Sequence, residues 1–139
     1  VLQDQFGKDG RIEAGRGKAH ILVASDQRES TKDFSEWSKA LASLAPSHGI
    51  QALANLKALP FFFLPHDLIA SSLRKDLPGL PVPLDWKGRV SAALAVPPNA
   101  TTVLVYSPSG RLLGQVQGSA SPGLVEEVRR LALRAQTSP

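Results

Sequence analysis

Apolar positions along the chain follow two spacings, and the switches between them outline the elements. His20–Ala24 (HILVA) is a near-continuous apolar run, the composition of a central strand covered on both faces. Phe34, Trp37, Leu41 and Leu44 then recur at spacings of three and four, one stripe of an amphipathic helix over Thr31–Ala45 that Pro46 and Gly49 end. Ile50–Asn55 reads as a second core strand. His66–Leu77 reads as a second helix, with Leu68, Ile69, Leu73 and Leu77 inward and Pro78-Gly79 as its stop. Between them, Phe61–Phe63 is expected in the core.

The second half is punctuated more sharply. Val82–Leu84 is a short strand, and Asp85-Trp86-Lys87-Gly88 is a turn. Arg89–Ala95 is long enough for one or two helical turns before Pro97-Pro98, neither of which has an N–H to donate. Thr102–Tyr106 (TVLVY) is β-branched and aromatic, and Arg111–Gln117 returns through Ser107-Pro108-Ser109-Gly110, so 102–117 is a hairpin. Ser121 caps a last helix, Pro122–Ala135, with Pro122 at its first position and Leu124, Val128, Leu131 and Ala135 on its apolar stripe. Residues 1–19 form an N-terminal extension in which Arg11–Glu13 is a candidate strand and Gly15–Lys18 a turn; residues 136–139 are a tail.

Composition narrows the chemistry. At 139 residues the chain fits one domain. It has no cysteine, which removes disulfides, thiolate nucleophiles and Cys-bound zinc together. The sixteen Lys and Arg against twelve Asp and Glu give +4, but the basic residues are scattered and not interleaved with aromatics, so no nucleic-acid face is expected. No apolar run reaches the roughly 18–20 residues of a membrane span. Val1 in place of Met fits a removed signal segment, and a periplasmic or secreted location is expected ahead of a cytoplasmic one.

Catalytic patterns are missing as well. The glycines around residues 10–18 lack the Lys-Ser/Thr pair of a phosphate loop, since Lys18 is followed by Ala19. There is no Gly-x-Ser-x-Gly elbow and no His-Glu-x-x-His. His20, His48 and His66 fall in unrelated elements, and His20 is expected to be a satisfied edge residue. No catalytic residue, cofactor or metal site is expected.

The order of strand, Asp85-x-x-Gly88 turn, short helix, proline-rich loop, hairpin and closing helix resembles the C-terminal half of a thioredoxin-like domain of the peroxiredoxin-related branch. The run Asp4–Lys18 (DQFGKDGRIEAGRGK) is similar to the segment that leads into the first core strand of such proteins. Residues 50–135 look most like the bacterial periplasmic YtfJ-type family, through Asn55, the helix over Leu68–Leu77, Pro78, Asp85, Gly88, Leu94 and the hairpin. The resemblance implies an α/β, thioredoxin-like fold with a central mixed sheet of four to five strands and helices on both faces.

In that fold, the loop after the first core strand carries the reactive cysteine at a helix N-terminus. Here it reads Ser25-Asp26-Gln27-Arg28-Glu29-Ser30-Thr31, and a helix dipole cannot give serine thiolate chemistry. Thr101 stands near the place of the family's cis-proline. The candidate binding residues are therefore Ser25, Asp26, Gln27, Arg28 and Thr101. The function expected is a redox-inactive binding or accessory module of the bacterial envelope, with a protein or a small anion as partner. The second reading is a cysteine-independent enzyme or anion-binding protein in which Arg28 holds the anion.

Overall fold

The computed structural model describes residues 2–26, 30–44, 47–57 and 66–138. In chain order the elements are β1 (Leu2–Gln3), β2 (Asp9–Gly10), β3 (His20–Ser25), α1 (Ser30–Leu41), a single 3₁₀ turn (Ala42–Leu44), β4 (Gly49–Asn55), α2 (His66–Asp76), β5 (Leu84–Asp85), α3 (Arg89–Ala93), β6 (Thr101–Tyr106), β7 (Leu112–Gln117) and α4 (Pro122–Thr137). β3 to β7 form one mixed sheet in the order β5-β4-β3-β6-β7. β3 pairs parallel with β4 and antiparallel with β6, and β4 pairs parallel with β5.

Alternation along the strands sorts the core into two layers. Ile21, Val23, Ala52, Ala54, Val103, Val105 and Val116 lie against Phe34, Trp37 and Leu41 of α1, Leu73 of α2, and Val128, Leu131, Ala132 and Ala135 of α4. Leu22, Ala24, Leu53, Leu104 and Tyr106 point to the other face. Among the described residues, that face is covered by Leu2, Ile12 and Ala14 from the N-terminal segment and by Val90, Leu94 and Val96 around α3. Three helices therefore cover one face, and a short helix with an irregular segment covers the other. β3, enclosed by both layers, is buried along its whole length. α4 begins as its caps require, with Ser121 Oγ accepting from the Leu124 amide at 3.4 Å.

Several boundaries differ from the sequence expectation, each for a local reason. The N-terminal strand pair is Leu2–Gln3 with Asp9–Gly10, and Arg11–Glu13 is not a strand because it crosses the face of the sheet instead of joining an edge. The strand expected over Val82–Leu84 is Leu84–Asp85, an edge strand whose register is set by pairing with Ala54 and Asn55. α1 gives way to the 3₁₀ turn after Leu41, α2 ends at Asp76, and α4 continues to Thr137. Phe61–Phe63 lie outside the described residues. His20 is not an edge residue: it opens the middle strand and is buried.

Two Asp-x-x-Gly turns flank the thin face. Asp4 Oδ1 accepts from the Phe6 and Lys8 amides at 2.8 and 3.0 Å, and Gly7 takes φ +77°. Asp85 Oδ2 accepts from the Ser91 amide and hydroxyl at 2.7 and 2.8 Å, fixing the start of α3, with Gly88 at φ +70°. Within the first of these turns sits Gln5, fully buried. Its Nε2 donates to the Leu77 and Leu80 carbonyls at 3.2 and 2.6 Å, and its Oε1 accepts from the Val82 amide at 2.7 Å. One side chain thus satisfies three backbone groups of the segment that leads into β5.

Gln5→Ala is expected to lower stability in urea by about 3 kcal/mol, since it strands those buried groups together. Gln5→Glu should be no better than alanine, because a carboxylate cannot donate to the Leu77 and Leu80 carbonyls.

Candidate functional site

The end of β3 and the start of β6 meet as a cross-strand pair, Ser25 opposite Thr101. Both side chains lie on the α1 face, and their hydroxyl oxygens are 2.9 Å apart. Thr101 Oγ1 donates its one proton to Asp33 Oδ2 at 2.5 Å, so Ser25 is the donor in the pair. Asp33 comes from the first turn of α1, where a carboxylate complements the helix dipole. Its other oxygen accepts from Ser119 Oγ at 2.9 Å. A directed chain of hydrogen bonds therefore runs from Ser25 through Thr101 to Asp33, with Ser119 closing it from the loop before α4.

The neighbouring backbone is tied into the same end. Asp26 accepts from the Asn99 and Ala100 amides at 2.7 and 3.1 Å, which holds Asn99 in its left-handed conformation (φ +59°). The Gly118 amide donates to the Thr101 carbonyl at 2.9 Å, and the Gly118 carbonyl accepts from Trp37 Nε1 at 3.0 Å. Four segments distant in sequence are joined here through side chains.

Of the five residues singled out in the sequence, three are brought together: Ser25, Asp26 and Thr101. Gln27 and Arg28 lie outside the described residues. Ser25 and Thr101 are 1% and 4% exposed, so they shape the surface from beneath, while Asn99 and Ser119 stand exposed above them. Sequence reasoning missed Asp33 and Ser119. The signal for Asp33 was present, an acidic residue in the first turn of a helix, but nothing marked its partners 68 and 86 residues away.

Chemically the chain is closed. The Ser25 proton goes to a hydroxyl, which is not a base strong enough to generate a nucleophile. The Asp33 oxygens are both engaged by hydroxyl donors. Among the described residues, no group of three or more His, Cys, Asp or Glu could hold a metal ion, and no helix is long and apolar enough to cross a membrane.

No protein-family model and no curated protein matches the chain. Its likeness is to solved structures. DsbF of MTB, determined in mixed oxidized and reduced forms, superposes with a TM-score of 0.69 at 18% identity, covering 97% of this chain and 93% of that one. StoA from Bacillus subtilis gives 0.70 at 13% identity, covering 94% and 93%. A secreted Mycobacterium tuberculosis disulfide oxidoreductase homologous to E. coli DsbE gives 0.65 at 14% identity, covering 96% and 93%. The fold is thioredoxin-like, a five-stranded mixed sheet with four helices.

Thr101→Val and Asp33→Ala are each expected to cost about 1–3 kcal/mol in urea unfolding, because each leaves hydroxyls without partners. The double variant should lose measurably less than the sum, since both changes cut the same bond. Full additivity would show that the chain is not energetically connected.

Proposed function

We propose that this protein is a redox-inactive thioredoxin-fold module of the bacterial cell envelope, and that it works by binding a protein partner at the surface above the Ser25–Thr101–Asp33 chain. One observation carries the reading. Where proteins of this fold perform thiol chemistry, this chain has no cysteine and instead holds a closed hydroxyl–carboxylate chain. Thiol–disulfide exchange and thiol-based peroxide reduction both need a thiolate, so neither is open to it.

The surface charge favours a polypeptide over an anion. Asp26 and Asp33 bring two carboxylates to this end of the sheet, and each would oppose an approaching anion. The loop over Pro97–Ala100 is stiffened by two prolines and by Asp26, so its exposed Asn99 is presented with little further ordering needed on binding. The Asp85-x-x-Gly88 turn, the hairpin and the closing helix support kinship with the YtfJ-type proteins. The secreted oxidoreductase among the structural neighbours supports an envelope location.

An amide NMR titration with a permanently unfolded polypeptide, and separately with phosphate, tests this. Saturable shifts at Asp26, Asn99, Ala100 and Ser119 with the polypeptide, and none there with phosphate, are the expected result. Shifts at those residues with phosphate would turn the site into an anion site. Polypeptide shifts confined to another surface would remove it altogether.

A further inference from the structure

A histidine lies beneath the thin cover of the sheet. His20 is 2% exposed, and its Nε2 has no hydrogen-bond partner. Its register partner on β4 is Gly49, where any β-carbon would overlap the imidazole ring, so the strand backbone lies directly against it. Its partner on β6 is Tyr106. Part of the cover is the irregular segment 11–18, which contributes Ile12 and Ala14. Gln51 of β4 clasps that segment twice, accepting from the Glu13 amide and donating to the Arg11 carbonyl, each at 2.8 Å. A third bond runs from the Gly17 amide to the Pro108 carbonyl at 3.0 Å. Ile12 and Ala14 pack beneath the segment against the layer of Leu22, Leu53, Leu104 and Tyr106.

The surroundings of His20 compensate a positive charge only in part. β4 presents Gly49 and Gln51, neither of which titrates. From β6 comes Tyr106, whose hydroxyl burial pushes above its ordinary value and so keeps neutral. The segment itself brings Glu13 and Lys18, and Glu13 is already turned to an exposed ion pair with Arg16 at 3.3 Å. His48, adjacent to Gly49, serves the opposite face, with its Nε2 2.7 Å from the Ala132 carbonyl of α4. Burial holds the His20 imidazole below its ordinary value; Gln51 and Glu13 oppose this in part, and Lys18 adds to it. Desolvation is the largest of these effects, so the enclosed ring is held neutral chiefly by its burial.

We propose that residues 11–18 are an acid-released strap: protonation of His20 lifts the segment from the sheet and uncovers Leu22, Leu53, Leu104 and Tyr106. A proton on the enclosed Nε2 creates a charged donor with no acceptor, whereas in the open form water accepts from it. The open form titrates near the ordinary value of 6.5 and the closed form only at lower pH. Between those two values the open form binds more protons, so the closed form is at full strength above about pH 6.5 and weakens as the pH falls through it. Each pH unit below 6.5 raises the open-to-closed ratio by up to about tenfold, until the closed form itself titrates.

Hydrogen exchange read by NMR at pH 7.5 and 5.5, corrected for intrinsic rates, tests the strap. Protection at the Glu13 and Gly17 amides should fall by up to about tenfold at the lower pH, with β3 and β6 amides unchanged. His20→Gln, which cannot titrate, should hold Glu13 and Gly17 at equal protection at both pH values. Should that variant not fold, Gln51→Leu provides the second arm: with the clasp cut, Glu13 should be weakly protected at both pH values over an intact core. Equal protection of the native chain at both pH values overturns the proposal. So does a loss shared with β3 and β6, a loss that persists in His20→Gln, or a strap that stays protected at pH 7.5 in Gln51→Leu.

Discussion

β3 is enclosed on both faces and paired along both edges, and most of the molecule exists to complete that enclosure. A strand so placed must be apolar on alternate sides and needs two separate covers. α1, α2 and α4 supply one in bulk, through large side chains such as Phe34, Trp37, Leu41 and Leu131. The other comes from small pieces, α3 and the N-terminal segment, which cannot bury an equal area by packing alone. These pieces are held by directed polar contacts instead: Asp85 to Ser91, Gln5 to the backbone before β5, and Gln51 to the strap. The asymmetry explains why so many buried polar groups gather around the thin face.

Where β3 ends, the same enclosure continues with different chemistry. The pairing of Ser25 with Thr101 brings two hydroxyls together beside the first turn of α1. A thiolate in such a place gains from the helix dipole and stays reactive. Here the Asp33 carboxylate occupies the first turn of that helix, and the hydroxyl protons are directed onto it. The result holds α1, β3, β6 and the loop before α4 in one arrangement.

The ends of β3 are also unequal in their polar accounting. At Ser25 the buried hydroxyl has its partner, while at His20 the buried Nε2 has none. The proposed strap rests on the second of these ends. Gly49 is part of this arrangement, because the absence of a side chain there lets the imidazole lie within the sheet layer.

The sequence by itself determined the order of elements, the stripes that face the main core and the loss of thiol chemistry. Apolar spacing reports which side of an element must be buried, proline and glycine report where it stops, and a missing cysteine admits no structural remedy. Only the tertiary structure decided what the polar residues do. Asp33, Thr101 and Ser119 are separated by tens of residues, and their meeting depends on how the strand register and helix packing bring the segments together. Gln5, Gln51 and His20 carry no periodic signal, so neither the latch, nor the clasp, nor the buried imidazole could be read before the sheet was assembled. Arg11–Glu13 was misjudged for the same reason: local composition cannot tell a segment that joins a sheet edge from one that crosses its face.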